Sequence, residues 1–366
     1  MFARCLETLF EAVQVAETQE SAETYIRNIT HYIFSTEVQR ASSRELSTSS
    51  SSRRHPGVMF TCLLDAFAYG LSHDSGTDEK KKVDELVRSL VKDLIAMADK
   101  VDVGLMDVRP ILNQVANKII SLCLDDSRVA KIAGCDGIKF MAQLPGLGVR
   151  WITERIADVV RSLLFVLKDM PFDLPDRVKD VNETIELVLN VSYNEMSTNE
   201  EQAASSKTLM LGLTGIFFAE LSGQNAIVRN AAHRCIELLS RLTGISTPEL
   251  LMPHRERILT AIYTKPLRAL PFPAQVGIVE AIRFCLSLDP PLPELNDELL
   301  RLLHEALALA DADDSQLMSR GPQRQNSMEI VKLRVACIKL LTASMPVTDL
   351  FAKQQNTRQR YAMRVF

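Results

Sequence analysis

Apolar residues recur at intervals of three and four through almost the whole chain, and very little interrupts them. That single feature restricts the fold more than any other, because a stripe repeating every 3.6 residues can be buried only by a helix. Val228, Ala232, Cys235, Ile236, Leu239 and Leu242 show it cleanly. Breakers are scarce, with 14 glycines and 15 prolines among 366 residues, and no stretch alternates as a half-buried strand does. The pattern predicts helices over 2–15, 22–38, 58–71, 81–98, 108–124, 127–144, 149–167, 177–191, 200–221, 228–243, 275–288, 294–310 and 328–343, with shorter turns between. Counted this way the chain holds about fourteen helices, or roughly two per 50 residues, which is the spacing of HEAT and armadillo arrays. The expected fold is all-α: an α-solenoid of HEAT-like hairpins, each burying its stripe by stacking on the next. A compact helical bundle is the alternative, disfavoured by the helix number.

Local signals mark the ends. Gly244 is placed to cap the helix that begins near Val228, and Ser246-Thr247-Pro248-Glu249 has the spacing of a capping box. Residues 41–57 hold seven serines and almost no apolar side chain, so they are expected to form a disordered loop. The expected organisation is an N-terminal helical pair over 1–40, that loop over 41–57, a solenoid over 58–311, a mobile loop over 312–327 and a terminal repeat over 328–366.

Composition removes several function classes. Forty-two basic side chains stand against 46 acidic ones, a net charge of -4, so there is no basic surplus to neutralise phosphates. No direct nucleic-acid binding is expected. Leu209 to Ala219 is the longest nearly unbroken apolar run, too short for the roughly 18 residues a membrane span needs. No membrane association is expected. The seven cysteines (5, 62, 123, 135, 235, 285 and 337) include no pair at CxxC spacing and read as reduced thiols packed as small hydrophobes.

Catalytic and metal motifs each fail at a definite residue. His304-Glu305 opens a zincin pattern, but Ala308 stands where the second histidine belongs. Asp311, Asp313 and Asp314 resemble the start of a calcium loop, yet Gln316 and Pro322 replace its glycine and glutamate. Gly146 and Gly148 begin a dinucleotide fingerprint that ends at Trp151. No catalytic, cofactor-binding or metal-binding residue is expected, and no small-molecule ligand. Two binding-type signals remain. Leu299-Leu300-Arg301-Leu302-Leu303 matches an LxxLL docking pattern, although its leucines also fit the buried stripe of a solenoid helix. Ser42 and Ser327, near Arg40, Arg44 and Arg324, are candidate phosphorylation sites at which a phosphate would order a loop by pairing with arginine; a plain solvated loop is the alternative.

The stretch from Pro253 to Asp314 is more specific. Tyr263-Thr264-Lys265-Pro266-Leu267-Arg268-Ala269-Leu270-Pro271-Phe272-Pro273 is followed by Gln275-Val276-Gly277 and Cys285-Leu286-Ser287-Leu288. Pro290-Pro291-Leu292, Asn296-Asp297-Glu298-Leu299 and Leu302 through Asp311 complete it. This run resembles the HEAT region of the transformation/transcription domain-associated protein family. Gly137-Ile138-Lys139, Pro145 through Trp151 and Val166-Leu167-Lys168-Asp169 resemble an earlier part of the same region, and the likeness extends from near Phe2 to about Arg360. Tyr361 to Phe366 departs from it, as a fragment or truncated gene model would.

The resemblance implies a non-enzymatic scaffold segment of a nuclear transcription coactivator. That family is a pseudokinase scaffold of SAGA-type and NuA-type histone acetyltransferase complexes. Its implied partners are acetyltransferase-complex subunits and transcriptional activators, and its implied location is the nucleus. No residue of its kinase-like domain is matched. The alternatives are another helical-repeat adaptor, such as a nuclear-transport or phosphatase scaffold, or the solenoid of an active phosphatidylinositol-3-kinase-related kinase.

Overall fold

In the computed structural model all regular structure among the described residues is helical. The structure describes residues 2–45, 57–72, 77–102, 109–170, 174–197, 203–264, 266–313 and 323–365. Two compact units divide the chain, Met1–Asn199 and Glu200–Phe366. The division falls inside the span 58–311 that the sequence treats as one array.

The first unit contains α1 (Phe2–Gln14), α2 (Gln19–Glu45), α3 (Val58–Ser72), α4 (Thr77–Asp102), α5 (Arg109–Cys123), α6 (Arg128–Ala142), α7 (Leu147–Glu154), α8 (Ile156–Asp169) and α9 (Pro175–Ser197). α1 puts Leu6, Phe10 and Val13 on one face, and all three are buried against α2, α3 and α4. Phe10 meets Phe67 of α3 edge to face, with ring centroids 5.9 Å apart. Burying such a side chain contributes about 1.5–3 kcal/mol, so this stripe and not local propensity holds the α1–α3 corner.

Small residues set the spacing further on. α6 carries Ala130, Ala133, Gly134 and Gly137 along one side and packs closely on α5. A Cβ on Gly134 would lie 2.6 Å from the Cys123 backbone nitrogen, and one on Gly137 would lie 2.9 Å from the Ile119 side chain. Ser127 caps α6, its hydroxyl accepting from the Ala130 N–H.

Three boundaries differ from the sequence expectation. α2 continues to Glu45, so Ala41, Ser42, Ser43, Arg44 and Glu45 extend a helix where a loop was expected. Lack of apolar residues argues against packing, but adding residues to an established helix costs little. The stretch 149–167 is two helices, broken at Arg155 with φ -118° and ψ 20°. No proline or glycine marks that break. It is fixed tertiarily: Trp151 Nε1 donates to Asn113 Oδ1 at 3.0 Å and Arg155 donates to Asn117 Oδ1 at 3.2 Å, both on α5. The third difference lies at the other end of the chain, where helix begins at Gln323, inside the loop expected over 312–327. Residues 46–56 and 314–322 of the two expected loops lie outside the described residues.

The second unit contains α10 (Ala203–Glu220), α11 (Ala226–Thr243), α12 (Thr247–Leu251), α13 (Arg255–Tyr263), α14 (Phe272–Leu286), α15 (Asp297–Asp311) and α16 (Gln323–Val365). Short 3-10 turns at Met252–His254 and Leu267–Ala269 join them. α11 follows its sequence closely. Asn225 caps it by accepting from the Ile227 N–H at 2.8 Å, Val228, Ala232, Cys235, Ile236 and Leu239 are buried, and Gly244 closes it at φ 67°. Of the capping box, the Glu249 carboxylate accepts from the Ser246 N–H at 3.3 Å and from its hydroxyl at 2.9 Å.

Candidate functional site

The motif-rich stretch from Pro253 onward builds the central part of the second unit, and several of its polar residues engage backbone. Arg229 of α11 is buried and makes a clamp. Its guanidinium donates to the carbonyls of Gly223 and Gln224 at 2.9 and 3.0 Å and to the Glu280 carboxylate of α14 at 2.9 Å. Charge-assisted bonds of this kind hold the α10–α11 turn against α14. Gly277 of α14 permits the approach, since a Cβ there would lie 2.3 Å from the Gly223 carbonyl oxygen. Gln275 donates to the Leu270 carbonyl at 2.7 Å and anchors the start of the same helix. The Gln275-Val276-Gly277 run is therefore a packing device.

The same logic recurs twice. Arg301 of α15 donates to the Tyr263 carbonyl, while Glu305 one turn later accepts from the Leu267 N–H at 2.6 Å. Together they fasten the α13–α14 connection to α15. Arg334 of α16 donates to the Ala312 carbonyl at the end of the α15 segment. In sequence, Val228-Arg229 and Leu333-Arg334 are matching pairs, and the structure uses both arginines to hold inter-helix turns.

A polar cleft of about 420 Å³ opens between α13 and the start of α15, lined among others by Arg255, Glu256, Tyr263, Glu294, Asn296 and Glu298. Arg255 and Glu294 pair across it at 2.7 Å, and Asn296 is occupied as the cap of α15. No histidine or cysteine stands among its described lining residues. In the first unit a narrow apolar crevice lies among α3, α4, α5 and α6, lined by Leu64, Phe67, Val91, Ile119 and Phe140, with Arg88 and Asp136 at 4.0 Å on its edge. Burial raises the Asp136 pKa against the opposing pull of Arg88 and Arg177. Neither site assembles a nucleophile with a base.

The residues singled out from sequence fall as follows. Leu299, Leu302 and Leu303 are buried on α15, so the LxxLL run is the core stripe of that helix and has no free leucine face. Ser42 lies in the last turn of α2, its side chain outside the described residues. Ser327 is exposed in the second turn of α16, within a helix where a loop was expected. The arginines paired with these serines, Arg40, Arg44 and Arg324, have side chains outside the described residues. Asp311 and Asp313 are exposed, and Asp314 lies outside the described residues. Among the described residues no three His, Cys, Asp or Glu side chains group as a metal site, and no helix is long and apolar enough to cross a membrane.

The histidines that are buried or engaged serve packing. His254 bonds the Leu211 carbonyl at 2.7 Å and packs against Gly215, where a Cβ would meet the ring at 2.8 Å. His304 turns back on the Leu300 carbonyl of its own helix. His233 of α11 meets Phe284 of α14 edge to face at 4.3 Å, and burial lowers its pKa. Cys123, Cys135, Cys235, Cys285 and Cys337 are buried, and none is in a disulfide. Burial pushes Cys285 and Cys135 up to about 12 and Cys337 up to about 11, so none of these three is a thiolate near neutrality. Within the Pro253–Asp314 stretch Glu280, Arg301 and Glu305 fasten one helix or turn to another. The residue that sequence reasoning passed over is Gly277, whose role needs the partner turn to be seen.

Comparison with known proteins agrees with this architecture. The chain is similar over its full length to the SAGA complex/NuA4 acetyltransferase complex subunit TRA1 of Saccharomyces cerevisiae, at 29% identity over 375 residues, which is 10% of that protein. It is 35% identical over 233 residues to the Schizosaccharomyces pombe subunit of the same description, covering 63% of this chain and 6% of the relative. The human transformation/transcription domain-associated protein is 26% identical over 293 residues, 77% of this chain and 7% of its own length. The chain therefore spans about a tenth or less of the relatives it matches. The family model for the Tra1 HEAT repeat ring region matches residues 1–366, and the chain belongs to that family, with its all-α, HEAT-type solenoid fold.

Proposed function

We propose that this chain acts as a non-catalytic scaffold segment of a transcription coactivator: part of a subunit of a histone acetyltransferase complex that works in the nucleus and receives transcriptional activators. The observation that carries the reading is the match of the Tra1 HEAT ring over the entire chain, joined to relatives named as SAGA and NuA4 acetyltransferase complex subunits. Physics supports it. Glu280, Arg301 and Glu305 of the most distinctive stretch are spent on fastening helices, as a load-transmitting scaffold requires and a reaction centre does not. Partners are proteins, met by surface shape, and a net charge of -4 gives no drive toward nucleic acid.

Ser42 and Ser327 remain proposed phosphate acceptors. At Ser327, in the second turn of α16, a phosphate would act by pairing with a nearby arginine rather than through the helix dipole, whose effect fades within the first turn.

The test is affinity purification of the tagged, full-length gene product from nuclear extract, followed by mass spectrometry. Recovery of acetyltransferase subunits is expected, with phosphopeptides covering Ser327 and Ser42 in the same digest. Transport factors or phosphatase subunits in their place would overturn the scaffold assignment.

A further inference from the structure

The polar cleft between α13 and α15 holds a buried group that the packing of the unit leaves unused. Glu256, Leu259 and Tyr263 follow steps of three and four along α13, so they share the face that forms one wall. The opposite wall holds Glu294 and Glu298, the latter in the first turn of α15. Tyr263 is only 5% exposed, and its hydroxyl is enclosed with no hydrogen-bond partner among the described residues. Buried hydroxyls are nearly always paired, because an unpaired one costs free energy. The charges of Glu298 and Arg255, both cleft residues, act on this hydroxyl, so it faces the cleft floor. Glu256, Glu294 and Glu298 outnumber Arg255, which is already paired with Glu294, and the cleft is net acidic. Its walls, residues 252–298, are interior to the unit, with helices before and after them in the chain.

We propose that this cleft binds an arginine side chain from a basic segment of a partner protein, its guanidinium set between Glu256 and Glu298 and donating to the Tyr263 hydroxyl oxygen. The charge surplus fixes the sign of the occupant, and the separation of the acceptors fixes its shape. A guanidinium presents five N–H donors in a rigid fork and can meet two carboxylates and a hydroxyl together; an ammonium concentrates its three donors at one point. Met252 and Leu259 line the same cleft and offer apolar surface to the methylene stem of the side chain. A compact metal ion fits less well, since no three carboxylates among the described residues converge on one point. A volume of about 420 Å³ admits a long side chain with part of its backbone. The inference rests on the scaffold reading and gives one of its protein partners a chemistry. Its test is a direct binding measurement, so it can fail while co-purification succeeds, and the reverse.

The probe is a short fluorescent Gly-Ser peptide carrying arginine, titrated by anisotropy at low ionic strength with the 366-residue chain and with the full-length gene product. Two further peptides carry citrulline, the uncharged isostere, or lysine in place of arginine. The citrulline peptide is expected to bind roughly tenfold or more weakly, the range for charge-assisted hydrogen bonds lost. Glu256→Gln with Glu298→Gln should weaken arginine binding roughly 2- to 25-fold, the range for two exposed ion pairs. Both carboxylates are exposed, so far-UV circular dichroism should stay unchanged and certify the fold. Glu17→Gln with Glu154→Gln removes the same charge from exposed positions elsewhere and should leave the affinity as it was. Tyr263→Phe removes only the hydroxyl and should weaken binding roughly 2- to 12-fold while the urea midpoint holds or rises. A hydroxyl that merely packs would give the same midpoint with no change in affinity, and that result would overturn the proposal. So would equal binding of the arginine and citrulline peptides, tighter binding of the lysine peptide, no binding at all, or indifference to the Glu256/Glu298 pair. Binding by the 366-residue chain that the full-length product lacks would also overturn it, because the protein's own chain would then fill the cleft.

Discussion

Replacing Gly277 with alanine tests how the second unit is held together. The new Cβ would sit 2.3 Å from the Gly223 carbonyl oxygen, 2.8 Å from that of Ser222 and 3.1 Å from the Gly223 carbonyl carbon. These are backbone atoms and cannot swing aside, so α14 must move away from the α10–α11 turn by roughly 1 Å to restore ordinary contact. Overpacking of this kind costs about 1–3 kcal/mol. The movement also pulls Glu280 from Arg229, the two being joined at 2.9 Å while Arg229 holds the same turn. Weakening a buried charge-assisted bond adds about 1–2 kcal/mol. Alanine returns about 1 kcal/mol through its better helix propensity. The net expectation is a loss of about 1–4 kcal/mol. Gly212→Ala supplies the control, because a Cβ there meets nothing within 4 Å and the residue is exposed on α10. That change should be neutral or stabilising by up to about 1 kcal/mol. Urea unfolding followed by circular dichroism reads both, with the lower-stability transition fitted separately where the two units unfold in steps. If Gly277→Ala and Gly212→Ala shift the midpoint alike, the close approach of α14 to the turn is not what Gly277 provides.

Three further outcomes are expected. Glu305→Ala leaves the Leu267 N–H without its acceptor at 2.6 Å and should destabilise by about 1–3 kcal/mol, whereas Glu294→Ala, which removes a largely exposed carboxylate, should change stability by under about 1 kcal/mol; matching losses would contradict the assignment. His233 has its pKa lowered from 6.5 by burial between α11 and α14, amid Glu237, Glu280 and Arg283. The unfolded chain therefore takes up this proton first as pH falls, so stability declines as pH drops through 6.5 and levels off below the folded pKa. His233→Gln should flatten that part of the urea-midpoint profile, and an unchanged slope would count against it. Finally, iodoacetamide applied to the native chain near neutral pH should modify Cys5, which is exposed, and spare Cys123, Cys135, Cys235, Cys285 and Cys337 until the chain unfolds. Peptide mass spectrometry reads each thiol, and alkylation of Cys337 as fast as Cys5 would refute its burial.

Periodicity alone determined that this chain is helical, because a stripe repeating every three to four residues is written into the order of side chains and needs no partner to be seen. The Gly244 end of α11 was equally legible, since a cap acts within one turn, whereas the Asn225 cap was not picked out. The family resemblance lay in the Pro253–Asp314 run for the same reason, being a string of residue types. What those residues do was not legible. Arg229 reads as a charged residue on a helix until the Gly223 carbonyl and Glu280 are brought to it. The LxxLL leucines fit both a docking motif and a core stripe until α15 turns them inward. The break at Arg155 carries no local signal because asparagines on α5 impose it from 38 residues away in sequence. Ser327 read as a loop residue, since a polar segment says nothing against a helix that nearby packing has already nucleated. Short-range preferences decide which segments become helices; which faces are buried and which turns are clamped depend on contacts between residues far apart in sequence, and those exist only once the helices have packed.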